Sequence, residues 1–225
     1  MKKLSGVFIC LLLFTFISSA RIIEVADAGI TDKLRAVIAA KNVAAPAGCD
    51  GTADVDYYTA NTSELGVGVE DATSYSGEDN FQDSSGRTIC NFEAKVTANG
   101  TIDTKSYYAK VWTLSGDNLD AAICTSAAVT GDSGWSFDTV AWDFENCTGS
   151  ACSASGCAIS ASTDYALTLN CGTDPSTLCT PDASHYLSVI WADSDEGTGQ
   201  MARWNSDKSM SNSYSGYDVQ IKVYW

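Results

Sequence analysis

The feature that most constrains this chain is a hydrophobic period of two, sustained through six separate runs. Cys90, Phe92, Ala94 and Val96 alternate with Asn91, Glu93 and Lys95. Tyr107, Ala109 and Val111 alternate with Tyr108, Lys110 and Trp112, and Val140, Trp142 and Phe144 with Ala141 and Asp143. The pattern recurs in Tyr165, Leu167 and Leu169, in Leu187, Val189 and Trp191, and in Val219, Ile221, Val223 and Trp225. Successive side chains of a strand point to opposite faces, so each run offers one apolar face to a core. Turn residues separate the runs, among them Asn99-Gly100, Ser115-Gly116-Asp117-Asn118, Gly131-Asp132-Ser133-Gly134 and Gly172-Thr173-Asp174-Pro175. Several strands joined by polar turns predict a mainly β fold: a two-sheet antiparallel β-sandwich with one short N-terminal helix. The helix is expected over 31–42, where Thr31 caps an apolar stripe of Ile30, Leu34, Val37 and Ile38.

The N-terminus predicts export. Lys2 and Lys3 precede an apolar run over 7–17, and Ser18-Ser19-Ala20 supplies small residues for cleavage. A second such site, Ala26-Asp27-Ala28, lies just downstream. The apolar run is short of the about 20 residues that a membrane span needs. The expected organisation is a signal peptide over 1–20, an N-terminal arm with the short helix over 21–53, and a β-sandwich domain over 54–225. No membrane span is expected after signal cleavage, and the expected location is extracellular, with cell-surface association left open. The formal charge of −15 repels nucleic acid and anionic membrane surfaces.

Cysteine usage agrees with an oxidising compartment. Cys10 lies within the signal peptide; Cys49, Cys90, Cys124, Cys147, Cys152, Cys157, Cys171 and Cys179 remain. An even number in an exported chain predicts up to four disulfides. Loop length favours Cys171 with Cys179 and one local pair within Cys147, Cys152 and Cys157, leaving the rest of the connectivity open. A zinc site is a weak competitor, because His185 is the only histidine and no Cys-x-x-Cys pair is present.

The order of motifs from about residue 76 to the end resembles a known family. Glu78-Asp79-Asn80-Phe81-Gln82 is followed by the strand at 90–96 and by Tyr108-Ala109-Lys110-Val111-Trp112. Trp135 with Val140-Ala141-Trp142-Asp143-Phe144 comes next, then Ile159 through Thr163-Asp164-Tyr165-Ala166-Leu167. Trp204, Tyr214-Ser215-Gly216 and the strand from Asp218 to Tyr224 close the series. This order resembles jelly-roll β-sandwich modules of carbohydrate-binding-module type found in bacterial secreted and surface proteins. The resemblance implies a jelly-roll topology, a carbohydrate ligand, and a structural calcium ion held by Glu78, Asp79 and Asp218.

Read for chemistry, the chain favours binding over catalysis. Gly131-Asp132-Ser133-Gly134 looks like a protease nucleophile loop, but His185 lies downstream of it and no upstream histidine exists to serve as base. The segment is therefore expected to be a turn. A cysteine nucleophile needs a free thiol and a histidine partner. Paired carboxylates for glycoside hydrolysis are not singled out by any spacing, so the chain is read as a non-enzyme. Sugars stack on flat rings and bond to nearby polar side chains. Trp204, Tyr214, Trp191 and Tyr186, with Asp193 and Asp195, are the expected ligand-binding residues. The leading reading is a secreted module whose partner is a glycan or a surface protein. The alternative is a structural subunit of a surface layer, sheath or fibre that self-assembles through its N-terminal arm. In that case a strand over 55–59 or 65–70 would add to a neighbour's open sheet edge.

Overall fold

The computed structural model describes residues 53–56, 59, 62–192 and 199–225. The chain divides into two units, Met1–Ala44 and Ala45–Trp225, and every described residue lies in the second. The expected helix over 31–42 falls outside the described residues. The described chain is mainly β and its sheets are antiparallel.

The first large sheet has six strands. It contains β1 (Ala53–Asp56), β2 (Glu64–Val67), β5 (Asn91–Asn99), β9 (Ser136–Asp143), β13 (Tyr186–Ile190) and β16 (Ile221–Tyr224). β9 runs along one side of β5. On the other side two strands share the edge: β13 pairs with Val96–Asn99 and β16 with Asn91–Ala94. At the handover, Gln220 N–H donates to the Ile190 carbonyl at 2.8 Å and Lys95 N–H to the Gln220 carbonyl at 3.0 Å. No ladder bond is lost where one strand replaces the other, as burial requires. β1 pairs with β16 and β2 with β13. The segments expected to reach a neighbouring subunit thus complete this chain's own sheet.

The second large sheet has seven strands: β3 (Tyr75–Phe81), β6 (Ser106–Ser115), β7 (Asn118–Thr125), β8 (Val129–Thr130), β12 (Tyr165–Gly172), β14 (Gln200–Trp204) and β15 (Met210–Tyr214). Its main path runs β15-β14-β3-β12-β6-β7. A small third sheet joins β4 (Thr88–Ile89), β10 (Cys152–Ser153) and β11 (Gly156–Ala158).

Alternation decides which side chains meet. Phe92, Ala94, Val96, Trp142, Leu187, Val189, Ile221 and Val223 of the six-stranded sheet share one buried cluster with Tyr107, Ala109, Val111, Leu167, Leu169 and Met201 of the seven-stranded sheet. Trp142 is fully buried there, and its indole N–H donates to the Tyr107 carbonyl at 3.1 Å. That bond ties β9 to β6 through the core. A bulge in β3 at Asn80, whose φ is 54°, lets both Glu78 and Phe81 face inward.

β6 and β12 are buried on both faces. Tyr108, Lys110 and Trp112 point away from the main core, yet all three are buried. Trp112 joins a second cluster with Tyr75, Leu119, Ala166, Ala202 and Trp204. The outer face of β6 and β12 is therefore covered rather than solvated.

Three described disulfides are Cys124–Cys157, Cys147–Cys152 and Cys171–Cys179, and Cys90 is disulfide-bonded as well. Both expected local pairs form. Cys49 lies outside the described residues.

Trp142→Ala is expected to destabilise the fold by about 3–5 kcal/mol, the usual cost of truncating a large buried side chain. Urea denaturation followed by tryptophan fluorescence measures it, and a loss under about 1 kcal/mol would mean the two sheets do not share this core.

Candidate functional site

Two features stand out: a pocket on the outer face of the seven-stranded sheet, and a buried group of acids beside the strand handover.

The pocket is an open hollow of about 350 Å³. Its floor comes from Tyr75 of β3, Lys110 and Trp112 of β6, and Ala122 and Thr125 of β7. Thr148 and Gly149 form one wall, Pro175 and Ser176 a second, and Lys208 a third. Each wall is fixed by chemistry visible in its own segment. Cys147–Cys152 closes the first loop, and Thr148 exchanges backbone bonds with Thr125 at 2.7 and 2.8 Å. The sulfurs of Cys124, Cys147 and Cys152 lie within 4.8 Å of one another, so this bridge sits against Cys124–Cys157 and is anchored on β7. Because these sulfurs are oxidised, they are not thiolate ligands for a metal. Gly149 has φ 136°, and a Cβ there would come within 2.2 Å of the Ile123 carbonyl oxygen, so the loop rides directly on the strand.

Cys171–Cys179 closes the second loop. Within it, Asp174 Oδ1 accepts from Ser176 N–H at 2.8 Å, Ser176 Oγ at 2.7 Å and Thr177 N–H at 2.9 Å. These bonds hold the Asp174 carboxyl down to about 2, the Ser176 hydroxyl contributing most. The third wall is the β14–β15 turn, where Lys208 adopts φ 72°. Its Nζ donates to the Asp120 carbonyl at 2.9 Å, and its own carbonyl accepts from Leu119 N–H at 3.1 Å.

Lys110 is the unusual member. It is 4% exposed, and it makes no hydrogen bond or ion pair to a described residue. Its Nζ lies 5.4 Å from the Trp112 ring centre and 5.7 Å from that of Tyr75; Lys208 Nζ lies 5.2 Å from Trp112. Burial, and then the charge of Lys208, push the Lys110 ammonium down to about 8, with Asp174 opposing.

The acid group lies on the inner side. Glu78 Oε2 accepts from Val219 N–H at 3.0 Å, while Oε1 is buried with no hydrogen-bond partner among the described residues. Burial and the neighbouring charge of Asp218 push the Glu78 carboxyl well above the usual carboxylate range, against the pull of the Val219 bond. Asp218 and Gln220 are both fully buried. The backbone at either end of the 193–198 segment touches this pair. Ala192 N–H donates to the Asp218 carbonyl at 2.7 Å, and Gly199 lies so near Glu78 that a Cβ would meet Oε1 at 2.3 Å.

Asp79 is buried too, but alternation turns it to the opposite face of β3. There burial is the main cause raising its carboxyl to about 6, with Asp117 and Asp164 adding charge and the Asn80 N–H and Gln200 side chain opposing. Of the three expected metal ligands, Glu78 and Asp218 therefore come together, while Asp79 lies on the opposite face and reaches Glu78 through its charge alone. The donors at this pair are oxygens only, and the buried Oε1 fits a hard cation such as calcium, which takes six to eight oxygens.

The expected sugar-binding residues fare unevenly. Trp204 is fully buried, its indole N–H donating to the Asp117 carbonyl at 2.9 Å, so neither ring face is open for stacking. The expectation fails because the outer sheet face is itself covered where Trp204 lies. Tyr214 is half-buried; its hydroxyl accepts from Arg203, and from Asn212 at 3.1 Å. Trp191 is half-buried and packs edge-on against the exposed Tyr217, with ring centres 4.8 Å apart. Tyr186 is half-buried on β13, and none of these four lines the pocket. Asp193 and Asp195 lie outside the described residues.

The Gly131–Gly134 segment is a turn, as expected. Ser133 Oγ accepts from Ile102 N–H at 2.9 Å, and His185 sits 3.2 Å from Asp182. Sequence reading missed Lys110, Lys208, Thr148 and Ser176. The available signals were a lysine inside an apolar run and two short cysteine loops that bracket Thr148 and Ser176. No protein-family model matches this chain, and no curated protein matches it either.

A raised carboxyl is favoured protonated in the fold, so Glu78 and Asp79 contribute stability below about pH 4 that is lost as pH rises through their folded values. Without divalent cations, the melting temperature is expected to fall between pH 4.5 and 7.5. Calcium is expected to restore it at pH 7.5 and to do little at pH 4.5, where protons compete. Glu78→Gln should flatten the pH slope and abolish the calcium effect; scanning calorimetry in chelator and in calcium reads both. A melting temperature indifferent to calcium at pH 7.5 would exclude the cation.

Proposed function

We propose that this chain is a secreted, non-catalytic binding module of jelly-roll β-sandwich type whose ligand is a carbohydrate. The observation that carries this reading is the pocket walled by two disulfide-closed loops. Ligand sites are concave, largely pre-formed, and lined by apolar surface with a few convergent polar groups. This pocket combines Tyr75, Trp112, Ala122 and Pro175 with Thr125, Thr148, Ser176 and two lysines. Covalent closure of both loops lowers the ordering cost that a ligand must otherwise meet. The seven described disulfide-bonded cysteines suit an oxidising compartment, and no described helix is long and apolar enough to cross a membrane.

One core shared by the two large sheets and antiparallel pairing support the sandwich description, and the Glu78–Asp218 pair supports a structural calcium ion. The structural-subunit reading is less favoured, because the strands at Ala53–Asp56 and Glu64–Val67 pair within their own chain.

The test is a glycan array followed by calorimetric titration of the oxidised protein. Saturable binding to a defined glycan is expected. Replacing Cys147 and Cys152 together by serine should weaken it roughly ten-fold through lost pre-organisation, with the far-ultraviolet spectrum unchanged. Binding unaltered by that double change would move the site away from this pocket.

A further inference from the structure

We infer that the pocket selects an oxyanion carried on an otherwise neutral glycan, either the carboxylate of a uronate or the sulfate ester of a sulfated sugar, between Lys110 and Lys208. The inference rests on the glycan-binding reading and names the charged group that the site recognises.

Three other described cations of this acidic chain find carboxylates, while Arg203 bonds the Tyr214 hydroxyl instead. Arg87 pairs with Asp83 at 2.8 Å, Lys105 with Asp182 at 3.0 Å and Lys222 with Asp56 at 2.9 Å. With 28 acids against 13 lysines and arginines, such partners are easy to supply. Lys110 has none, although it is 4% exposed and buried ammonium groups are costly unless paired. Its partners are two aromatic rings and the like charge of Lys208. Holding two like charges over one indole opposes folding, and an anion between them reverses the sign of that interaction.

Lys208 adds a second observation. Its φ of 72° belongs to the left-handed region, where glycine or asparagine costs least. A lysine there is explained by what its side chain does: the bond from Nζ to the Asp120 carbonyl aims the ammonium over Trp112. The hydroxyls of Thr125 and Thr148 line the same pocket and are suited to the remaining oxygens of the anion, while the Ser176 hydroxyl already donates to Asp174. Asp174 is the carboxylate whose charge reaches Lys110, and its Oδ1 accepts three bonds within its own turn.

The rest of the molecule limits what can deliver that anion. A net charge of −15 repels a densely charged polymer such as nucleic acid. A glycan with isolated anionic residues meets far less of that field. The Lys110 ammonium is lost as pH rises past about 8, so affinity is expected to fall between pH 7 and 9.5.

The probes are matched pairs: uronate-containing oligosaccharides with their carboxyl-reduced counterparts, and sulfated galactan oligosaccharides with their desulfated counterparts. Calorimetric titration of the oxidised chain at low salt is expected to find binding to the acidic member of one pair. The neutralised member should bind roughly ten- to a hundred-fold more weakly. Lys208→Gln should reproduce that loss, and Lys208→Arg should retain most of the affinity. Lys110→Met should match Lys208→Gln; if it lowers the melting temperature, Lys208→Gln and the pH profile decide. Which pair responds identifies carboxylate or sulfate. Equal affinity for both members of a pair, or acidic-glycan binding indifferent to Lys208→Gln, overturns the anion site and leaves glycan binding standing. Absence of binding to every acidic and neutral glycan overturns both.

Discussion

The fold depends on burying β6 and β12 on both faces. The inner face is closed by the six-stranded sheet, through Trp142, Phe92, Val189 and their neighbours. The outer face carries Tyr108, Lys110, Trp112, Thr168 and Asn170, none of which is left to water. Covering it falls to short segments with little core of their own: two small loops and a tight turn. Loops of this size bury little apolar surface, so something other than packing must fix them. Disulfides do so for the two loops, and a dense set of backbone and aspartate bonds does so for the turn at Asn205–Ser209. Where the cover stops short, between Lys110 and its surroundings, the pocket remains.

A second constraint operates at the seam where β13 hands over to β16. The chain leaves the six-stranded sheet after Ile190 and returns by way of Asp218, Val219 and Gln220. The Glu78 carboxylate crosses from the other sheet to meet Val219 N–H. Two buried carboxylates cannot both be ionised there at modest cost. Either a proton stays with the pair or a cation balances it. Both solutions tie the two sheets at the same point, and they differ in how stability responds to pH.

Much of this was legible in the sequence, for identifiable reasons. The six alternating runs became β5, β6, β9, β12, β13 and β16, because a period of two has one structural meaning when turn residues bound it. The pair Cys171–Cys179 followed from loop length, which also called for one local pair among Cys147, Cys152 and Cys157 without choosing it. What alternation concealed was the second buried face. A polar or aromatic residue opposite an apolar one reads as solvent-facing, so the pattern gave no sign that Lys110 is buried. β3 escaped notice because Ser76, Glu78 and the Asn80 bulge break its apolar pattern, although Glu78 faces the core. Simple alternation places Asp79, adjacent in sequence to Glu78, in a different environment. Residues 55–59 and 65–70 read as strands for a neighbour's sheet edge, whereas β1 and β2 pair within the chain; pairing partners are a tertiary fact that local pattern does not contain.

The central claim is that the outer face of the seven-stranded sheet holds the binding site. Chemical-shift mapping of the isotope-labelled, oxidised protein, titrated with the glycan found on the array, tests it most directly. The account predicts the largest changes at the Trp112 indole, the Lys110 and Lys208 side chains, Thr148 and Ser176. Changes centred instead on Trp191, Tyr217 and Tyr186, with Trp112 unmoved, would contradict it.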